Sequence, residues 1–277
     1  MPIELHICRW LAILVPGTAD AHPIHPTTHK EFTLNREPGI EIQALGDALA
    51  STLAPEAQQY WRENADRIAQ NLSTVHALCA SYRVRRVLDI GTSCQTVILK
   101  KLCPELVVET MGWEDHRYRP APDTVHHTLD LNQTATPDAC VLPPPVDMIL
   151  FLEVIEHLHT SPRHVLRYLF RCLNPGGFLV ISTPNAAFLR NRLQLLIGAN
   201  PFERIREDAM NPGHFREYTR TELVNYCKES GFNVIDSRID NLFRYGAASW
   251  RWFSRITQWL PQNFRRDMTV VAQKPVG

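Results

Sequence analysis

Val87-Leu88-Asp89-Ile90-Gly91-Thr92-Ser93-Cys94-Gln95-Thr96 runs from apolar residues through an acid and a glycine into small polar ones. A buried parallel strand ends this way where it turns into a helix and lets a ligand approach its backbone. The outline is that of a nucleotide-type cofactor site, although a short apolar strand with a glycine turn also occurs in α/β domains that bind nothing there. The neighbouring segments decide between the two readings. Val107-Val108-Glu109-Thr110-Met111-Gly112-Trp113-Glu114-Asp115 is a second apolar run closing on acids, at the separation where a second strand offers a carboxylate to a ribose. A third acid, Asp130, closes His126-His127-Thr128-Leu129-Asp130, and Val146–Leu152 runs into Glu153-Val154-Ile155-Glu156-His157-Leu158. After a helical stretch comes Leu173-Asn174-Pro175-Gly176-Gly177-Phe178-Leu179-Val180-Ile181-Ser182-Thr183-Pro184-Asn185. Strand and helix alternate through this block, which predicts a mostly parallel sheet covered on both faces, with ligands at the carboxyl ends of its strands.

These motifs, in this order and at this spacing, resemble the class I S-adenosylmethionine-dependent methyltransferases over roughly residues 80 to 240. The resemblance implies a Rossmann-like α/β fold with a seven-stranded sheet whose last strand is antiparallel, with 232–235 and 269–272 as its sixth and seventh strands. It implies S-adenosyl-L-methionine as cofactor, held by Asp89, Gly91, Thr92 and Ser93 at its amino-acid end and by Glu114 at the ribose, with Asp115 as the rival by one residue. Asp130 and Leu131 fit the adenine, and Glu153 joins the donor set. In one respect the chain departs from the commoner family loop: its second and third glycine positions are Ser93 and Gln95. The Gly91-Thr92-Ser93 opening, Thr183-Pro184-Asn185 and Asn211-Pro212-Gly213-His214-Phe215-Arg216-Glu217-Tyr218-Thr219 resemble methyltransferases of glycan and polysaccharide biosynthesis. A degenerate loop in a non-catalytic scaffold is the opposing reading of the lost glycines.

With 277 residues the chain exceeds the usual single-domain size, yet an α/β sheet with inserts reaches it. Its 29 Lys and Arg balance 29 Asp and Glu, so no general positive field points to a nucleic-acid partner, and none is expected. Seven cysteines, an odd number with no Cys-x-x-Cys pair, speak against a disulfide framework or a zinc ribbon and for a reducing cytoplasm. The apolar run 7–15 mimics a signal peptide. However, Glu4 precedes it and Arg9 interrupts it, so a secretory leader is not expected.

Residues 1–45, with Pro16, Pro23, Pro26 and Pro38 and an isolated His22-x-x-His25 pair, read as an irregular extension. Residues 46–277 form the domain. Within it Trp61, Ala65, Ile68, Ala69, Leu72, Val75, His76 and Cys79 recur at helical spacing and predict an amphipathic helix ahead of the first strand. Residues 185–218 and 241–266 are inserts on the side where the family presents its acceptor. Trp252, Phe253, Ile256, Trp259 and Leu260 share one helical face, to be packed on the core, covering the site or touching a lipid surface through 250–260.

Methyl transfer from a sulfonium needs positioning, a dry site and, for a hydroxyl acceptor, a base. His214, thrust out by the Asn211-Pro212-Gly213 turn, and His157 are the catalytic candidates. Each has a plainer alternative, His157 as a satisfied polar group at a helix start and His214 as a cap of the helix opening near Tyr218. Glu153, Glu156 and Asp147 show no clear carboxylate or histidine cage, so no metal is expected. Three functions follow: O-methylation of a sugar hydroxyl on a glycan, glycolipid or related metabolite; methylation of a phenolic or quinone-like small molecule; or a scaffold without catalysis.

Overall fold

The computed structural model describes residues 40–50, 55–91, 93–113, 123–136, 140–208, 211–242, 256–257 and 259–277. The strands are β1 (Arg86–Ile90), β2 (Val107–Gly112), β3 (His126–Thr128), β4 (Val146–Leu152), β5 (Leu173–Pro184), β6 (Asn233–Asp240) and β7 (Asp267–Gln273). They form one seven-stranded sheet in the order β3-β2-β1-β4-β5-β7-β6, parallel from β3 to β5, with β7 antiparallel to both β5 and β6. The expected α/β architecture is present.

β4 is buried along its whole length, which is why its sequence is a continuous apolar run rather than an alternation. The pleat still sorts its side chains: Met148, Leu150 and Leu152 join one core cluster, and Ile149 and Phe151 the other. The first cluster is closed by α1 (Ile40–Ala50), α2 (Pro55–Ser81) and α3 (Cys94–Leu102), through Ile42, Trp61, Ile68, Leu72 and Ile98. The second is closed by α4 (Pro162–Cys172) and α6 (Arg220–Glu229), through Val165, Leu169, Leu223 and Cys227. Each such aliphatic side chain contributes ~1.5–3 kcal/mol by leaving water, so the two faces together hold the layers.

At the amino ends of the strands, Asp147 joins three segments. Its Oδ2 accepts the backbone N–H groups of Arg85 and Arg86 (2.8 and 3.0 Å), and its Oδ1 accepts Nδ2 of Asn174 (2.8 Å). One carboxylate thus ties the starts of β1, β4 and β5.

Some boundaries differ from expectation. α1 begins at Ile40, inside the stretch expected to be irregular, and sends Ile42 into the core. His76 shares the helical spacing of α2 but faces water. β6 runs on to Asp240, because pairing with β7 continues where its sequence turns polar, and Arg238 is buried there against Thr74 Oγ1. Residues 1–39 lie outside the described residues.

Candidate active site

The strand order reverses between β1 and β4, and at such a point a crevice opens at the carboxyl ends of the strands. Gly91 follows β1 with φ +80°, a conformation side chains resist, and its N–H donates to Met111 O (2.8 Å). A β-carbon there would stand 3.3 Å from Val154 Cγ2 on the loop after β4. The crevice therefore has a backbone floor that any side chain at 91 would fill, which fits a donor lying against the loop.

Asp89 lies beneath that floor, fully buried, with Oδ2 accepting from Thr96 Oγ1 (2.6 Å) and Oδ1 from Gln95 Nε2 (3.1 Å). Its carboxylate grips the first turn of α3 and so fixes the loop from below. Ser93 is extended (φ −149°, ψ −177°), a conformation open to any residue, so a glycine is not required there. Its Oγ accepts from Gln95 N–H (3.2 Å), capping α3. Burial, against the pull of the Thr96 and Gln95 hydrogen bonds, pushes the Asp89 carboxyl up to about 7. The folded chain then holds this proton more tightly than the unfolded chain. The stability it contributes is fully present below the ordinary value of 3.8 and is lost as pH rises through about 7. In melts of the parent and Asp89→Asn from about pH 4 to 8, the parent's advantage shrinks as pH rises. A constant difference would refute the raised value.

Across the crevice, Glu153 adopts φ +56°, a left-handed backbone shared by no other non-glycine among the described residues. Its carboxylate pairs with the buried Arg67 of α2 and accepts Ser182 Oγ (2.8 Å). Arg67 is further held by Asn64 Oδ1 (2.6 Å) and Tyr60 OH (3.3 Å). Asn71 donates to Ser182 Oγ and accepts from Thr269 Oγ1 (both 3.3 Å), extending this polar seam from α2 to β7.

A short 3₁₀ turn, Ile155–His157, follows β4 and carries Glu156 and His157. The insert after β5 returns over it: Phe215 and Arg216 N–H both donate to Glu156 O (2.8 and 3.3 Å). Gly213, at φ +83°, makes the bend that delivers His214. The His157 and His214 rings meet edge to face at 4.8 Å between centroids. His157 Nδ1 lies 2.9 Å from Gly213 O, and His214 Nδ1 lies 3.2 Å from Glu217 Oε1. Burial and the neighbouring His214 charge hold the His157 pKa down. Burial also works against charge on His214, but the Glu217 hydrogen bond and the charges of Glu156, Glu217 and Glu203 prevail and raise it. Glu156 is buried, with Oε2 accepting Thr183 Oγ1 (2.9 Å); burial and Glu153 push its pKa up to about 8. One ligand atom from each of Glu156, His157 and His214 lies within 4.8 Å of the others, a grouping not expected from the sequence. His214 does not cap α6, because Thr219 does, in a reciprocal pair with Glu222.

The other donor candidates are placed as follows. Thr92, Glu114 and Asp115 lie outside the described residues. Asp130 caps the turn Leu131–Ala135, its Oδ1 accepting the backbone and side-chain N–H of Asn132 (both 2.9 Å). Leu131 is buried in the same core cluster as Ile90 and Met111. The ends of the 185–218 insert are pinned together, Ala186 N–H donating to Tyr218 O (2.9 Å). Its helix α5 (Leu189–Leu196) buries none of its side chains. Trp252 and Phe253 lie outside the described residues. Ile256 and Trp259, expected to pack on the core by default, are exposed, Trp259 at 91%. Arg67, Asn64, Thr183 and Glu217 were missed from sequence. Asn64, Arg67, Asn71 and Thr74 do recur at the spacing of the apolar stripe in α2, and that was the available signal.

The methyltransferase domain family model matches residues 56–237. A Mycolicibacterium smegmatis protein named a probable S-adenosylmethionine-dependent methyltransferase is 32% identical over 108 residues, 39% of this chain. The chain spans 35% of that curated relative's length. Among solved structures, a methyltransferase in complex with the Haloferax volcanii Trm112 activator shares the fold at TM-score 0.52, with 14% identity over 84% of this chain and 97% of its own. The N-methyltransferase NodS of Bradyrhizobium japonicum, solved with S-adenosyl-L-homocysteine, gives 0.49 at 13% identity over 83% and 98%. The sheet order, the glycine floor at the crevice and the family match across most of the chain agree: it belongs to the methyltransferase domain family of class I S-adenosylmethionine-dependent enzymes.

Proposed function

We propose that the chain methylates a sugar hydroxyl of a glycan, glycolipid or related metabolite. The observation that carries this reading is the His157–His214 pair, in which the insert after β5 brings His214 against His157 on the turn that follows β4. When bound, the donor supplies an electrophilic methyl carbon. The chain's own task is to seat the acceptor oxygen, exclude water and take the hydroxyl proton. His214, made more basic by Glu217, suits the last task, and His157, held neutral, is its alternate. Of the polar segments quoted for the glycan-associated subgroup, 211–219 carries His214 itself and 183–185 begins with Thr183, which donates to Glu156. Inserts 185–218 and 241–266 of the domain 46–277 supply the acceptor side. Six described cysteines are free thiols, which supports a reducing compartment, the cytoplasm, as the place of work.

A second reading draws on the exposed Leu193, Leu196, Ile197 and Ile205 of the first insert and on Trp259. This surface suits a phenolic or quinone-like acceptor, or contact with a lipid surface through 250–260. The scaffold reading loses its geometric ground because Ser93 needs no glycine. No helix among the described residues is long and apolar enough to cross a membrane.

Incubation with methyl-labelled donor and a panel of glycosides, read by NMR for a methyl ether, tests the reading; label on nitrogen or carbon would overturn it. With a confirmed acceptor, His214→Ala lowers turnover by about a hundredfold or more and leaves donor affinity nearly unchanged. Parental turnover in that variant transfers the role to His157. Glu114→Ala weakens donor binding by about 1.5–3 kcal/mol, the range for a hydrogen bond to a charged group, and Asp115→Ala by much less. Titration calorimetry showing the reverse order would move the ribose contact by one residue.

A further inference from the structure

Two features of the Glu156–His157–His214 cluster exceed what a proton acceptor needs. Each imidazole is fixed through Nδ1 by an oxygen acceptor, a backbone carbonyl for His157 and a carboxylate for His214. An Nδ1–H donated to such a partner leaves the lone pair on Nε2, the arrangement that orients histidines as metal ligands. Separately, Glu156 Oε1 is buried without a hydrogen-bond partner among the described residues; the residue is 1% exposed and its other oxygen is satisfied by Thr183. A buried carboxylate oxygen left without a partner costs on the order of 1–3 kcal/mol or more, so a site that keeps one has a use for it.

We propose that Glu156, His157 and His214 bind a divalent cation. Two imidazoles and one carboxylate suit a transition ion of the Mn²⁺, Fe²⁺, Co²⁺ or Zn²⁺ kind better than Mg²⁺ or Ca²⁺, which favour all-oxygen shells. Three protein ligands leave positions for water or for hydroxyl oxygens of an acceptor, whose acidity the ion would raise. The cation would then take over the lone pairs assigned above to proton transfer. Its catalytic use rests on the hydroxyl-acceptor reading, whereas its binding does not. Glu217 and the Gly213 carbonyl become the groups that orient its ligands.

The test uses the full chain stripped of metal and titrated with Mn²⁺, an ion the free thiols bind poorly, followed by calorimetry and electron spin resonance. The parent takes up one equivalent, with nitrogen couplings in the spin-echo spectrum. His157→Ala, His214→Ala and Glu156→Gln each weaken binding at least tenfold, and the exposed His76→Ala does not. Circular dichroism reports folding. Should Glu156→Gln unfold, the two histidine variants decide. Absence of Mn²⁺ binding by the parent at about millimolar concentration, or parental binding in both histidine variants, overturns the proposal. Because metal uptake is read without donor or acceptor, failure of the sugar reading would leave this result standing.

Discussion

Replacing Arg67 by alanine is expected to lower folded-state stability by about 3–5 kcal/mol, a large share of what a domain of this kind possesses. The guanidinium is buried inside α2, where desolvation works against its charge, and the Glu153 carboxylate more than restores it, holding its pKa above the ordinary range. Truncation leaves the Glu153 carboxylate with the Ser182 hydroxyl as its donor among the described residues and strips Asn64 and Tyr60 of their shared partner. Glu153 also bears a left-handed backbone, which costs of order 1–3 kcal/mol and persists only while its surroundings over-determine it. Urea unfolding measures the loss. The double variant Arg67→Met with Glu153→Leu should recover much of it, since an apolar pair of similar volume carries no stranded charge. A loss below about 1 kcal/mol for Arg67→Ala would show the pair to be marginal.

Gly91→Arg is expected to abolish donor binding, by more than about a hundredfold, in a chain that still folds. The left-handed φ of +80° strains any side-chain-bearing residue, and the new β-carbon meets Val154 Cγ2 at 3.3 Å. The long side chain then adds bulk and charge at the loop against which the donor is expected to lie. Gly91→Ala separates the two effects, carrying the backbone strain and the first contact with no further bulk. Calorimetry with S-adenosyl-L-homocysteine reads the affinity and circular dichroism the fold. Undiminished affinity in a folded arginine variant would move the donor away from β1.

The strand endings were legible because burial on both faces writes itself as an unbroken apolar run, and the glycine after β1 because its left-handed backbone resists any side chain. Asp89 was visible as a residue, but its orientation was not. Whether a strand-end acid meets the ligand or grips the next helix depends on Gln95 and Thr96, which read as ordinary helix residues. The Glu156–His157–His214 grouping escaped notice because its parts come from β4's loop and from an insert far along the chain, joined by the backbone bonds from 215 and 216 to Glu156 O and by the bond between His157 and Gly213 O. Arg67 escaped for another reason. A lone arginine in an amphipathic helix reads as a solvated residue until its partner across the fold is known.

The Asp147 tie has a consequence for how this scaffold can be altered. It fastens β1, β4 and β5 at the ends remote from the crevice, holding β1 through backbone N–H groups that persist whatever side chains Arg85 and Arg86 carry and β5 through the Asn174 side-chain amide. The order of the central strands is thereby set by an anchor that shares no residue with the surface where an acceptor is chosen. Exchanging the 185–218 loop for a foreign one between the pinned ends Ala186 and Tyr218 would retune substrate choice while the sheet keeps its alignment. Such a frame lets selection, natural or in the laboratory, work on specificity with little debt to folding.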